Sequence, residues 1–356
     1  MKIISLLIGF IACCQIISAQ APKFSNDFLN IGIGSKGMAL GSAVSSNSND
    51  IYAAYWNPAG LSHVESNFQV GAQHAQWFGG IGNYDYIGFG KKLDPAGKSF
   101  GAVSIIRLGI DDIPNTLLLR APDGSIDYSR LKTFSVADYA FILSYARKYK
   151  ETNWSYGLNA KIIHRTFGSF ANAWGFGFDA GILYQKEKWG FAIMGRDITT
   201  TFNAYKYKFS DDEKAVLLLT GNDVPNSSVE YTLPKLVLGT SYLINFNSKF
   251  KFRPALDIEF SGNSTKSGLI SSKNFIADPR IGFEFSYIQK IFLRLGAQNF
   301  QFEKSDTQNG KDEFIFQPNG GLGIRFGKIG LDYALTNIGT VGAGLYSHYF
   351  SVVLNF

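Results

Sequence analysis

Residues 346–356 read Tyr346-Ser347-His348-Tyr349-Phe350-Ser351-Val352-Val353-Leu354-Asn355-Phe356. Taken as a strand, Tyr346, His348, Phe350, Val352, Leu354 and Phe356 share one face, and Ser347, Tyr349, Ser351, Val353 and Asn355 share the other. A sheet in a bilayer has no water to satisfy its edges, so it must close on itself. Its last strand then needs an apolar, aromatic-capped outside and a more polar inside, and this stretch has both. An ordinary edge strand ending a soluble domain would alternate in the same way, so support has to come from elsewhere in the chain.

The opposite end supplies it. Met1-Lys2 precede an apolar run over residues 3–14, then Gln15-Ile16-Ile17-Ser18-Ala19. A short charged head, an apolar middle and a small residue at Ala19 predict a Sec-type signal peptide, residues 1–19, with Gln20 first after cleavage. The run is too short for a membrane-spanning helix, which needs about 20 apolar residues. Cys13 after Ala12 offers a lipoprotein anchor as the weaker alternative, because Phe10 is a poor lead-in.

Both cysteines, Cys13 and Cys14, fall in that leader, which removes disulfides, thiol catalysis and cysteine metal sites from the mature chain. Net charge is +6, and the basic residues are scattered along the sequence, so no nucleic-acid face is expected. With 31 Phe, 18 Tyr and 5 Trp but only 17% charged residues, the composition fits an exported membrane barrel.

Strand-like segments recur at 67–76, 83–93, 99–110, 137–149, 154–167, 174–186 and 189–197, then 233–245, 249–261, 279–289, 291–300, 314–326, 328–336 and 345–356. The predicted fold is therefore all-β: a fourteen-stranded antiparallel transmembrane barrel over residues 65–356, with residues 20–64 as an N-terminal, partly helical luminal plug. Short connections (94–97, 150–153, 187–188, 247–248, 290, 327) alternate with longer ones (77–82, 111–136, 168–173, 198–232, 262–278, 301–313, 337–344), the spacing of tight periplasmic turns and outer loops. Both termini are then periplasmic. The ninth segment separates its faces well: Phe250, Phe252, Pro254, Leu256, Ile258 and Phe260 against Lys251, Arg253, Ala255, Asp257 and Glu259. In a barrel the charged face lines the lumen, joined there by Glu284, Arg294, Arg325, Asp332, Asp179 and Lys161. Charges of both signs predict ion pairs across it. Pro254 costs a ladder hydrogen bond and predicts a local bulge.

The leader reads differently. Gly32, Gly34, Gly37 and Gly41 crowd together, and residues 50–55 have helical spacing with Asp50 as N-cap. Asn57-Pro58-Ala59-Gly60-Leu61 reads as a terminator, proline stopping the helix and glycine supplying the turn. Together with Gly34-Ser35-Lys36-Gly37-Met38-Ala39-Leu40-Gly41 and Asn49-Asp50-Ile51-Tyr52-Ala53-Ala54-Tyr55-Trp56, this element resembles the N-terminal region of the FadL-like outer-membrane barrels, and is most similar to their PorV/PorQ branch. Asp111-Asp112-Ile113-Pro114-Asn115-Thr116, Asp138-Tyr139-Ala140-Phe141 and Ala171-Asn172-Ala173-Trp174-Gly175-Phe176-Gly177 resemble that branch too. The resemblance implies a barrel in the bacterial outer membrane whose N-terminal hatch enters the lumen. For the PorV/PorQ type it implies a non-enzymatic, protein-binding subunit of type IX-like secretion or assembly machinery. The partners would be a larger outer-membrane translocon and secreted proteins with C-terminal sorting domains, besides outer-membrane lipid and lipopolysaccharide. The FadL type implies instead a diffusion channel for fatty acids or other hydrophobic small molecules.

No catalytic or cofactor site is expected. His63, His74, His164 and His348 lack ligand spacing, and neither a G-x-S-x-G elbow nor a P-loop occurs. Asp111-Asp112, opening a loop, could take a divalent ion but reads first as solvated acid. Trp77, Trp174 and Trp189, near strand ends, are expected to anchor at the interface. Leu117-Leu118-Leu119 and Leu217-Leu218-Leu219 sit in the two longest loops, where they either cover themselves or contact a protein partner.

Overall fold

The computed structural model describes residues 25–119, 125–262, 269–272, 275–304, 312–338 and 346–356. The expected signal peptide lies outside these residues. Fourteen wall strands form a closed antiparallel barrel. They begin with β1 (Phe68–Trp77), β2 (Gly82–Lys92), β3 (Ser99–Asn115), β4 (Lys132–Lys148), β5 (Trp154–Phe167) and β6 (Ala171–Lys186). Strand β7 comes in two halves, Trp189–Arg196 and Thr201–Tyr207, and β8 in three pieces, Ser227–Thr232, Lys235–Tyr242 and Ile244–Asn245. The wall continues through β9 (Phe250–Ser261), β10 (Ile276–Tyr287), β11 (Ile291–Lys304), β12 (Asp312–Phe326), β13 (Ile329–Thr336) and β14 (Ser347–Asn355).

The seam is the pairing of β1 with β14, from Gln69↔Asn355 to Gln76↔His348. Phe356 N–H donates to Phe68 O at 2.9 Å, and Phe68 N–H donates back to Phe356 O at 3.2 Å, so this pair extends the ladder one step beyond Gln69↔Asn355. Side chains of β14 divide as its alternation requires. Ser347, Tyr349, Ser351 and Val353 are buried inward, while Phe350 and Phe356 stand exposed on the outer face. The same outer face around the barrel carries Ile87, Phe89, Leu143, Leu158, Ile162, Phe178, Ile193, Leu295 and Leu331. That band is the apolar surface a bilayer demands. A polar interruption crosses it where His74 Nδ1 meets Asp85 Oδ1 at 2.7 Å and Arg107 Nη1 meets Asp85 Oδ2 at 3.5 Å.

Tight turns gather at one end of the barrel and longer connections at the other. Several strands run further toward the long-loop end than the sequence indicates. Strand β3 reaches Asn115 and β4 starts at Lys132, because the chain absorbs Asp111-Asp112 as a bulge: register shifts between Ile110 and Ile113, with Asp112 at φ 57°. Asp111-Asp112 therefore sits in a strand, not at a loop mouth. The expected loop 198–232 is largely a hairpin extension, the second half of β7 pairing with the first piece of β8. A helix, α3 (Asp211–Leu219), caps it, started by a reciprocal Ser210–Glu213 capping box. No bulge forms at Pro254. The β9–β10 register is continuous, and on the β8 side the ladder only lapses between Ser241↔Ala255 and Ile244↔Phe252 without shifting. A proline without an N–H explains a missing rung better than an extra residue does.

Residues 25–64 lie inside the barrel as short helical turns, among them α1 (Ser35–Ala39) and α2 (Ala53–Trp56). Ile33, Met38, Leu40, Ile51, Trp56 and Leu61 are buried there, and they form one core with inward residues of the wall such as Tyr84, Tyr86, Phe100 and Tyr349. Asn57-Pro58-Ala59-Gly60-Leu61 is built otherwise than its sequence suggests. Asn57 is extended and caps a new 3-10 turn, Pro58–His63, by accepting the Ala59 N–H at 3.1 Å. Proline here opens a helix. Gly60 is needed for closeness, since a Cβ would strike the Ser48 carbonyl.

Candidate functional site

The wall holds the plug mainly through side chains that grip the plug's backbone. Asp257 Oδ2 accepts two N–H groups, Val44 at 3.1 Å and Ser45 at 2.9 Å. Gln69 Oε1 accepts the Ile51 N–H at 2.5 Å, Gln73 Oε1 that of Gly34, and Ser351 Oγ that of Ser35 at 3.0 Å. In the other direction Tyr84 and Tyr86 donate to the carbonyls of Phe28 and Ile51, and Asn159 donates to that of Ala54. From the plug, Asn57 donates to Ser45 O and to Ile182 O of the wall, both at 3.2 Å. Short irregular turns leave many backbone groups unpaired, so the wall has to supply partners.

Four ionic groups brace the lumen. Arg294, 1% exposed, links Glu284 at 2.7 Å to Asp332 at 2.6 Å, and Arg325 meets Asp332 at 2.9 Å. Glu259 holds Lys235 at 2.9 Å and Arg280 at 2.8 Å. Lys161 bridges Asp179 at 2.7 Å and Asp197 at 2.5 Å, where β7 is interrupted. Arg165 grips both oxygens of Asp138 through Nε and Nη2, at 2.6 and 3.0 Å. Of the charges expected in the lumen, Glu259, Glu284, Arg294, Arg325 and Asp332 are thus brought into ion pairs, and Asp257 serves the plug. Lys251 and Arg253 make no ion pair among the described residues and line a cavity instead.

Two cavities flank the plug on its long-loop side. The larger, about 670 Å³, is lined by Phe28, Ile31, Trp77, Leu108, Phe167, Phe170, Tyr205, Tyr207 and Phe209, with the Arg165–Asp138 pair and Glu230 on one wall. Its neighbour, about 420 Å³, shares Asp27, Ile31 and Trp77 and is closed below by Met38, Tyr55 and Trp56. On the short-turn side a third space of about 360 Å³ is charged, bordered by Lys36, Asp50, Glu65, Lys251, Arg253 and Glu284. Burial lowers the Lys36 pKa. The plug therefore divides an aromatic vestibule from an ionic one. An apolar cavity with a few convergent polar groups can hold a small hydrophobic molecule and orient it.

Several site residues escape the sequence reading. Tyr205, Tyr207 and Phe209 recur at every second position within the expected loop 198–232, an alternation that the polar residues before it obscure. Arg280 shares the parity of Glu284, and Arg165 and Asp138 point inward on strands already identified. Trp77 corrects an expectation: it faces inward against the core and lines both long-loop cavities, while Trp174 and Trp189 are exposed outside. Trp154, its ring tilted against that of Tyr184 at 4.7 Å, is a further outward tryptophan. Leu117, Leu118, Leu119 and Leu217 are half-buried, whereas Leu218 and Leu219 at the end of α3 are 64% and 86% exposed.

No protein-family model matches this sequence, and no curated protein matches it. Solved structures do. The toluene transporter TbuX of Ralstonia pickettii aligns with a TM-score of 0.56 at 12% identity, over 91% of this chain and 98% of that one. The toluene transporter TodX of Pseudomonas putida gives 0.56 at 13% identity, over 94% and 98%. A Pseudomonas aeruginosa FadL homologue gives 0.51 at 12%, over 94% and 100%. At such identities the likeness is one of fold.

Proposed function

We propose that this chain is a non-enzymatic channel of the bacterial outer membrane that admits hydrophobic small molecules through a plugged barrel. The observation that carries the reading is the aromatic cavity of about 670 Å³ on the long-loop side of the plug. With the short turns in the periplasm, that cavity opens outward, where an apolar solute arrives. Its lining buries such a solute against rings, and the Arg165–Asp138 pair, already satisfied, does not demand a charged ligand. The plug then separates the entry cavity from the ionic space below. The structural neighbours named as transporters of toluene, and the FadL homologue, support the same reading.

The test is equilibrium binding to the purified protein, read through the indole of Trp77, with toluene and a long-chain fatty acid as probes. Saturable binding of either, weakened about tenfold or more by Phe167→Asp or Tyr205→Ala, is the expected result. Absence of binding by both probes would remove the proposal. A protein-binding subunit of the PorV/PorQ type is the second reading, favoured by one observation: Leu218 and Leu219 stand bare at the rim. Stoichiometric recovery of a large barrel or of sorting-domain proteins from native membranes would move the assignment to it.

A further inference from the structure

The basic residues that look scattered along the sequence are gathered by the fold. Six tight connections close the short-turn end, and each carries one lysine: Lys98, Lys150, Lys188, Lys249, Lys290 and Lys328. Only Lys98 makes an ion pair among the described residues, with Glu151. The other five are exposed. The acids in these turns are Asp94, Glu151 and Glu187, and two are engaged: Glu151 by Lys98, and Asp94 by the Ser99 hydroxyl and the backbone N–H groups of Lys98 and Ser99, which lower its pKa. Outward-facing Lys91, Arg147 and Lys186 add charge at the adjoining strand ends. The long-loop end is mixed by comparison: among its described residues Asp111, Asp112, Asp127, Asp211, Asp212 and Glu213 stand with Arg130, Lys132, Lys206, Lys208 and Lys214, and Asp127 and Asp211 are paired with Arg130 and Lys214.

The lysines stand just beyond a belt of outward aromatic rings. Trp154 packs near Tyr184 at 4.7 Å, Trp189 near Tyr242 at 4.5 Å, Phe250 near Tyr287 at 4.9 Å, and Phe68 near Phe356 at 5.6 Å. Rings of this kind mark the headgroup boundary of a bilayer. Two of the ammonium groups lie over rings at this level: Lys150 is 5.4 Å from the Tyr149 ring centre, and Lys328 is 5.7 Å from that of Phe356. The cations are thus at phosphate depth. They also occur at every turn around the circumference, where a protein partner docking from one side would need only an arc.

We propose that this ring binds the headgroups of anionic phospholipids in the leaflet at the short-turn end, fixing an annulus of such lipid around the barrel. Basic groups at an anionic surface attract it additively, and salt screens the attraction. The proposal concerns the outer rim and is independent of what the lumen carries.

The test incubates the purified full chain with mixed micelles of phosphatidylglycerol and phosphatidylethanolamine, and native mass spectrometry counts the lipids retained. Phosphatidylglycerol should be preferred by about tenfold, and the preference should shrink as salt is raised toward 0.5 M. Replacing Lys150, Lys188, Lys249, Lys290 and Lys328 by glutamine should abolish it, and replacing them by arginine should preserve it. If the glutamine variant fails to fold, the arginine variant and the salt series still decide. Equal retention of the two lipids overturns the proposal, as does a preference that survives the glutamine variant or high salt. Equal retention accompanied by tight binding of polyglutamate would make the ring a docking surface for an acidic protein instead, and would overturn it too.

Discussion

Asp257 shows how much of the closed state rests on single side chains. One carboxylate oxygen takes two plug N–H groups in a fully enclosed place, so Asp257→Ala strands both donors. Losing them should cost about 2–4 kcal/mol, seen as a lower unfolding temperature in detergent, whereas Asp257→Asn keeps an acceptor and should cost less. His63 offers a titration at the plug's exit. Burial first, and Lys148 second, push its pKa down to about 4, while its Nε2 sits 2.9 Å from Ser155 Oγ. A released plug would protonate near the ordinary value of 6.5, so between pH 6.5 and 4 the free form binds the extra proton. Docking is strongest above 6.5 and weakens as pH falls through that window, by at most about 3 kcal/mol before solvent screening reduces it. Conductance measured across pH 7 to 4 should rise, and His63→Gln should flatten the response. Strand parity made most inward charges legible from sequence, including Asp257 and Arg294. Parity gives direction only, so it could not tell that Asp257 would meet a backbone while Glu284 met an arginine.

At the scale of elements, wall and plug fit because the wall is thinned where they touch. A Cβ on Gly157 would collide with Pro58 and Ala59, and one on Gly181 with the Asn57 side chain. Gly157→Val should therefore displace the Pro58–His63 turn without breaking a strand. The expected readout is a raised basal conductance in planar bilayers with unchanged β-content by circular dichroism; unchanged conductance would show that the turn yields elsewhere. Most strands were legible because each alternates and ends at a turn signal. The second half of β7 and the first piece of β8 were not, although their alternation is fair. Asp197 and Thr200, both at positive φ, break the strand midway, and the polar residues there read as a loop beginning. The plug was legible as non-strand, but its geometry was not, since its turns take their hydrogen bonds from wall residues far away in sequence.

For the molecule as a whole, a barrel with its plug removed should remain a barrel. Deleting residues 25–64 leaves the wall ladders and the outer apolar band intact, so the prediction is a folded protein of large, ohmic conductance in bilayers. Collapse instead would mean that the plug is the true core of the lumen. The strand count and the closing strand could be read along the chain. The basic ring could not, because closure alone makes neighbours of turns that are distant in sequence. That closure also has a temporal meaning. The seam joins Phe68 to Phe356, and the plug's Ser35 waits for Ser351, so some partners of the early part of the chain are supplied only by β14. Contacts of such long sequence separation form slowly. Until the final strand arrives, the nascent chain exposes an unzipped edge and an undocked leader together. A chain shortened by its last ten residues should accumulate as a protease-sensitive intermediate, with its defect showing at the N-terminus.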